Sequence, residues 1–183
     1  MKLIFITLFF SCFIITSCGD KNKNNQGEIL PYSVVRNENK EELLEWNKRL
    51  FEADLDLLKK FIERRKWDME VSETGLYWQI YYKTDGEQAN VGKIAEFGYV
   101  ISLLNGEVLY TSEEYGNRTL FLGRNQEEAG LDEGIRKMKV GEKARLILMP
   151  HLAFGVPGDG YKVPIYSTLL YDIELISLTT PNE

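Results

Sequence analysis

The side chains that most often carry catalysis are scarce in this chain of 183 residues, which has one His and two Cys. A structural zinc site takes about four Cys or His ligands, so these counts exclude a Cys-rich or multi-His site. His151 follows Pro150 in a loop-like sequence, and no Gly-x-Ser-x-Gly nucleophile motif accompanies it. Residues 155–160 are glycine-rich, but no Lys-Ser or Lys-Thr follows them, which argues against a phosphate-binding loop. Metal, phosphate and Ser-His-Asp chemistry are therefore not expected.

The balance of charge argues against nucleic acid as a partner. The chain holds 22 Lys and Arg against 28 Asp and Glu, a formal net charge of −6. A protein that binds nucleic acid neutralises phosphates with a surplus of Lys and Arg, and this chain has none. At roughly 100–200 residues per domain, the length predicts one folded domain with appendages.

The N-terminal residues have the pattern of an export leader. Lys2 precedes an apolar run over residues 3–15, which is shorter than the ~20 apolar residues of a membrane-spanning helix. The next residues, Ile-Thr-Ser-Cys18, resemble the lipobox of bacterial lipoproteins. That resemblance implies that residues 1–17 are a lipoprotein signal peptide and that Cys18 is acylated. The alternative is an ordinary signal peptide with a chance cysteine at its end.

The lipobox also predicts where the protein is found. We expect an extracytoplasmic lipoprotein that is anchored to a membrane through Cys18 and faces the periplasm, on either the inner or the outer membrane. Residues 19–27 are polar, so residues 18–38 are predicted to be a flexible, lipid-anchored tether.

A long helix is predicted next, within a helical segment over residues 39–73. Asn39 and Glu42 have the spacing of a helix N-cap, and no Gly or Pro follows until after Lys66. Apolar pairs recur at seven-residue spacing along this stretch. Such spacing suits packing on the chain's own domain, and it also suits a homodimer through the residue 40–66 helix.

After Trp67 the pattern changes to strands. Asn105-Gly106 predicts a hairpin turn, and Leu131, Ile135 and Met138 at i, i+4 and i+7 predict one short helix. Several antiparallel strands around one short helix indicate an α+β domain. Strands are predicted over residues 76–82, 97–104, 108–111, 118–122, 143–149 and 168–178.

Three motifs follow one another in the C-terminal half. They are Gly134-Ile-Arg-Lys-Met-Lys-Val-Gly-Glu-Lys-Ala144, Pro150 with Ala153-Phe154-Gly155, and Leu170-Tyr-Asp-Ile-Glu-Leu175. As an ordered set they closely resemble FKBP-type peptidyl-prolyl isomerases. The resemblance implies an FKBP-type domain over residues 74–179, in which an antiparallel sheet wraps around one short helix. A long N-terminal helix precedes that domain here.

The resemblance also assigns a proline pocket residue by residue. Tyr99 matches the family's aromatic residue on the strand before the hairpin, and Phe154 keeps the ring of the usual Tyr but lacks its hydroxyl. The implied catalytic positions are Tyr99, Leu109, Phe154 and Tyr171. The implied substrate-binding positions are Glu127, Glu128, Leu131 and Val163.

Several pocket positions depart from the family pattern. Tyr110 replaces the pocket Asp, and Leu131 replaces the Trp that floors the pocket. Glu127 and Glu128 replace a Val-Ile pair, and we expect their side chains to point outward because buried carboxylates are costly. The backbone N–H of Glu128 is still available to a substrate. A pocket without its Trp is shallower, which predicts weaker binding of proline and reduced turnover.

The resemblance thus implies a peptidyl-prolyl cis-trans isomerase, without metal or other cofactor, that helps extracytoplasmic proteins to fold. Its predicted partners are proline-containing client proteins of the cell envelope and the membrane. Two alternatives remain open. One is a chaperone-like binding module of low or no activity, and the other is a structural component of an envelope motility or secretion machine. The order of leader, tether, helix and domain is most similar to the gliding-motility-associated FKBP-like lipoproteins of the Bacteroidetes.

Overall fold

The computed structural model describes residues 40–124 and 129–181. The predicted leader and tether, with Cys18, lie outside the described residues, as do Glu127 and Glu128.

The chain divides into two compact units, residues 1–46 and residues 47–183. The first unit is described only over residues 40–46, which are helical. The second unit holds the rest of that helix and every strand found in the described residues.

The predicted long helix is present as α1, Lys40–Arg65. Arg64 and Arg65 lie in its last turn, where their positive charges favour the negative end of the helix dipole. Lys66 then takes a left-handed backbone conformation with φ of 54°, which ends the helix. Among residues 40–124 and 129–181, no helix is both long enough and apolar enough to cross a membrane.

The C-terminal part of α1 packs on the sheet. Leu58 and Phe61 are buried there and form a small apolar cluster with Ile147 and Met149. The ring of Phe61 meets the edge of Trp67, with 5.7 Å between ring centroids. This part of the helix therefore belongs to the folded domain, as one of the two sequence interpretations expected.

The strands form one antiparallel sheet of seven strands. Its order is β1-β2-β6-β7-β3-β4, and β5 pairs with β3 outside that path. The strands are β1 (Glu70–Val71), β2 (Tyr77–Tyr82), β3 (Ile94–Leu103), β4 (Val108–Thr111), β5 (Arg118–Phe121), β6 (Lys143–Leu148) and β7 (Leu169–Thr179).

Two shorter α-helices follow α1 in the described part of the chain. Helix α2 (Ser112–Tyr115) follows β4 directly and is capped by the Thr111 side chain, which accepts a hydrogen bond from the backbone N–H of Glu114 at 3.1 Å. Helix α3 (Ala129–Arg136) lies before β6 and buries Leu131 and Ile135. The predicted α+β fold, with a sheet around one short apolar-faced helix, is confirmed.

Close approach of α3 to the sheet depends on a residue without a side chain. A Cβ on Gly134 would lie 2.3 Å from Cδ1 of Leu146, a residue of β6 that is fully buried. The helix can therefore approach the sheet closely. Its Leu131 and Ile135 join the main core, which is the large cluster of buried residues that includes Phe97 and Leu146.

The structure matches most of the predicted elements and adds three short ones. The two-residue strand β1, helix α2 and a 3-10 helix at Pro150–Leu152 were not predicted. Along β7 the burial alternates as expected, with Leu169, Tyr171, Ile173 and Leu175 all buried.

We expect Gly134→Ala to destabilise the protein. Alanine favours a helix by about 1 kcal/mol over glycine, but overpacking of a filled core costs about 1–3 kcal/mol. Since Leu146 is enclosed, the clash should outweigh the propensity, and urea unfolding should show a lower free energy of unfolding.

Gly98→Ala is the matched control, because its added methyl would meet its nearest neighbour, Oγ of Ser112, at an ordinary 3.4 Å. This variant should be as stable as the wild type or slightly more so. A Gly134→Ala protein as stable as Gly98→Ala would contradict the packing argument.

Candidate functional site

A cavity of about 650 Å³ opens where the sheet meets the long loop between β6 and β7. We call residues 149–168 the β6–β7 loop. The sheet, helix α2, helix α3 and this loop each contribute to the wall. The lining residues are Tyr99, Ile101, Tyr110, Tyr115, Arg118, Ala129, His151, Ala153, Phe154 and Asp159.

Strand β3 supplies the apolar side of the cavity. Tyr99 and Ile101 lie two residues apart, so their side chains leave the same face of the strand. Tyr99 is only 6% exposed, and burial raises the pKa of its hydroxyl above the usual 10.0. Its backbone N–H donates to Oγ of Ser112 at 3.1 Å, which ties β3 to helix α2.

Arg118 places a cation over the aromatic wall. Its guanidinium carbon lies 5.7 Å from the ring centroid of Tyr99 and 5.8 Å from that of Phe97. These distances are within the range of cation–π attraction. The side chain thus stacks on the rings while its charge borders the cavity.

The opposite wall is built by the β6–β7 loop. Pro150 starts the 3-10 helix there, and its carbonyl accepts the backbone N–H of Gly155 at 2.8 Å. This turn carries Ala153 and the half-buried Phe154 to the cavity. Gly155 has a φ of 68°, a conformation that glycine adopts without strain.

A tyrosine and a carboxylate meet across the cavity. The hydroxyl of Tyr110, on β4, donates to Oδ2 of Asp159, on the β6–β7 loop. Burial, together with this bond to a carboxylate, raises the pKa of Tyr110 to about 12. Burial alone would raise the pKa of Asp159, but the hydrogen bonds from Tyr110 and the backbone lower it below the usual 3.8.

The predicted catalytic positions divide into two groups. Tyr99 and Phe154 line the cavity. Leu109 is 5% exposed and Tyr171 is fully buried, and both lie in the main core rather than in the lining.

Two of the predicted substrate-binding positions lie behind the cavity wall. Leu131 is fully buried and Val163 is 4% exposed, and both belong to the core that supports the walls. Glu127 and Glu128 are outside the described residues, although the neighbouring Ala129 lines the cavity. The binding role assigned to these four positions stays a prediction.

Sequence reasoning missed several lining residues. Ile101 could have been found from the two-residue strand period that starts at Tyr99. Asp159 could not have been found from the sequence, because no pattern relates it to Tyr110, which is far away in the chain. His151 lines the cavity as well, and its Nε2 lies 3.2 Å from the carbonyl oxygen of Thr74.

The cavity is suited to binding a flat apolar group. Its walls are mostly aromatic and aliphatic, and the carboxylate of Asp159 is already hydrogen-bonded. Within residues 40–124 and 129–181, no three His, Cys, Asp or Glu side chains come together as metal ligands. A five-membered ring with its two flanking peptide groups fits this chemistry.

This chain matches the profile of a known family. The family profile described as FKBP-type peptidyl-prolyl cis-trans isomerase matches residues 85–176. The human peptidyl-prolyl cis-trans isomerase FKBP10 is 41% identical over 96 residues, which are 52% of this chain and 16% of that protein. FK506-binding protein 2 of Yarrowia lipolytica is 39% identical over 93 residues, 50% of this chain and 65% of that protein. These relatives are thus matched over less than two thirds of their own length.

Solved structures show the same fold. AtFKBP13 is 32% identical with a TM-score of 0.57, and the match covers 62% of this chain and 100% of that one. FkpA from Escherichia coli is 25% identical with a TM-score of 0.58, and the match covers 76% of this chain and 73% of that one.

Proposed function

The chain belongs to the FKBP-type peptidyl-prolyl cis-trans isomerase family, and we propose that it isomerises X-Pro bonds of client proteins in the cavity lined by Tyr99 and Phe154. The observation that carries this proposal is the aromatic cavity itself. It is built by β3, β4 and the β6–β7 loop, all of which lie within the matched residues 85–176.

An apolar cavity is sufficient for this reaction. Rotation about an X-Pro bond is slow because partial double-bond character sets a barrier of roughly 18–20 kcal/mol. In the twisted transition state the amide has lost its resonance and is less polar around the nitrogen. Aromatic walls that exclude water therefore favour the twisted state over the planar ground state. Lowering the barrier by about 4 kcal/mol would accelerate the reaction roughly a thousandfold.

The same cavity supports a second candidate function. With Leu131 fully buried in the position of the family's Trp, the floor presents no indole ring. A floor of this kind gives less apolar contact to proline, which lowers both binding and turnover. We therefore keep a chaperone-like binding module, of low or no isomerase activity, as the alternative.

We also propose that the protein works outside the cytoplasm from a lipid anchor on Cys18. The apolar run over residues 3–15 and the lipobox that ends at Cys18 support this placement. Several acyl chains would hold the protein firmly, since one chain alone binds membranes only marginally. Its clients would then be proline-containing envelope proteins, and these could include parts of a motility or secretion machine.

A second copy of the chain is our proposed partner for helix α1. Leu50 and Leu57 are 41% and 64% exposed, and Ala53 between them is exposed too. Spacings of three and four residues place these side chains in one row along the helix. Such a row suits a partner helix, which supports a homodimer.

We expect catalysed cis-to-trans turnover of proline peptides by residues 19–183 in a protease-coupled assay that varies the residue before proline. Tyr99→Ala or Phe154→Ala should lower kcat/KM by about 10–100-fold. Each removes a large apolar contact worth roughly 1.5–3 kcal/mol.

Tyr82→Ala is the control for that assay, because Tyr82 is 56% exposed on β2 and does not line the cavity. It should keep the wild-type rate. A wild-type rate equal to the uncatalysed reaction, from folded protein, would refute the enzyme and favour the binding module.

The lipid anchor predicts a specific loss of acylation. Cys18→Ala should abolish incorporation of labelled palmitate and release the protein from the membrane fraction of a bacterial host. Cys12→Ala changes the other cysteine of the chain and should leave both unchanged. Labelled, membrane-bound Cys18→Ala protein would contradict the anchor.

If the row of Leu50, Ala53 and Leu57 holds a homodimer, charged substitutions in it should halve the mass of the protein in solution. Light scattering of residues 19–183 at micromolar concentration should give twice the monomer mass, and Leu50→Glu with Leu57→Glu should give the monomer. Lys48→Glu, an exposed change outside the row, should leave the dimer intact. A wild-type monomer would exclude the dimer.

A further inference from the structure

The β6–β7 loop has little regular structure of its own to hold it in place. Apart from the 3-10 helix at Pro150–Leu152, it contains turns and bends, and Gly158 and Gly160 within it have φ of 70° and 74°. Backbone of this kind keeps one conformation only where other contacts fix it. The contacts that fix the loop therefore determine the shape of the cavity wall.

We propose that Tyr110 and Asp159 form a latch, a pair of positioning residues that holds the β6–β7 loop against β4 and keeps the cavity at the width that proline needs. The proposal rests on the proposed isomerase function. In this proposal neither side chain transfers a proton to or from the substrate.

Asp159 organises the loop from within. Its Oδ1 accepts the backbone N–H of Tyr161 at 2.9 Å and that of Val163 at 2.8 Å. Its Oδ2 accepts the hydroxyl of Tyr110 from the other side of the cavity. One carboxylate thus closes a turn of the loop and joins that turn to the sheet.

The latch is anchored in packed structure at both ends. The ring of Tyr110 is half-buried and packs against the main core. On the loop, Val163 is 4% exposed and belongs to the same core. Because both ends are fixed, the hydroxyl and the carboxylate meet without much further loss of side-chain entropy.

A weaker tie runs beside it. Nζ of Lys162 donates to the hydroxyl of Tyr115 at 2.8 Å and lies 3.7 Å from Glu114. The rings of Tyr110 and Tyr115 meet edge to face at 5.5 Å. Glu114 is exposed, and exposed charge pairs are screened by water and salt. Of these two polar ties, the Tyr110–Asp159 bond is therefore the stronger.

If the loop is held in place for only part of the time, the affinity for substrate should fall more than the rate of the bound reaction. The apparent affinity falls by the fraction of molecules in the competent state, whereas the bound state is unchanged. Loss of the latch should thus raise KM and leave kcat nearly unaltered.

The test compares Tyr110→Phe with Tyr81→Phe in the full chain purified in detergent. Tyr81 is a matched control, because its hydroxyl also donates to a carboxylate, Oδ1 of Asp172 at 2.5 Å, but it does not line the cavity. We expect Tyr110→Phe to raise KM about tenfold and to speed amide hydrogen exchange at Tyr161 and Val163 about tenfold, as expected for one lost hydrogen bond to a charged group. Tyr81→Phe should leave both KM and the exchange rates at Tyr161 and Val163 unchanged.

Two variants of Asp159 distinguish an effect on the conformation of the loop from a direct effect of the carboxylate charge on the substrate. Asp159→Asn keeps an oxygen for the loop N–H groups and an amide for Tyr110 but loses the charge that strengthens these bonds, so its KM and its exchange rates should lie between those of the wild type and those of Asp159→Ala. Asp159→Ala should match Tyr110→Phe or exceed it, and the double variant should be no worse than Asp159→Ala alone. Asparagine that raises KM as far as alanine does, while exchange at Tyr161 and Val163 stays at the wild-type rate, would mean that the charge acts on the substrate, which overturns the latch.

Hydrogen exchange keeps the latch testable apart from the reaction. If the wild type shows no turnover, the proposed function fails, and faster exchange in Tyr110→Phe alone would still support the latch. Unchanged exchange at Tyr161 and Val163 in Tyr110→Phe would overturn it in either case. Circular dichroism and thermal unfolding of every variant confirm that the comparison is between folded proteins.

Discussion

The pairing of β3 with its neighbours is the constraint on which the rest of the structure depends. This strand pairs with β7 along its full length and also with β4 and β5. Tyr99 lies opposite Ile173, and Ile101 lies between Tyr171 of β7 and Tyr110 of β4. Since side chains alternate between faces, a slip of one residue would turn the aromatic wall away from the cavity. The fixed register therefore places both the apolar wall and the start of the latch.

The sequence was sufficient to predict the parts of the fold that have a period. Helix α1, the strands and the alternating burial of β7 follow from spacings of about 3.6 or 2 residues, which arise from backbone geometry alone. Helix α2 was missed, although Thr111 and Glu114 have the spacing of a capping motif. That signal was present in the sequence and marked only a helix of four residues.

The candidate site was predictable only in part, because resemblance assigns positions and not surroundings. Tyr99 and Phe154 line the cavity, whereas Leu109 and Tyr171 lie in the core that supports it. Whether the side chain of a strand residue lines the cavity or lies behind its wall depends on how far the β6–β7 loop extends over the sheet. The hydrogen bond between Tyr110 and Asp159 joins two segments that are far apart in the sequence, and no local pattern predicts it.

The two walls of the cavity are held by different kinds of interaction. The sheet wall stands on a core whose members, such as Phe97 and Leu146, are fully buried, so its position is set by apolar packing. The loop wall has few ladder hydrogen bonds. It rests on the buried Leu152 and Val163, and between these two residues a small number of polar contacts centred on Asp159 hold its conformation. Apolar packing is shared among many neighbours, whereas a hydrogen bond is lost when a single atom is removed. The loop side is therefore where one substitution can alter the cavity while the fold stays intact.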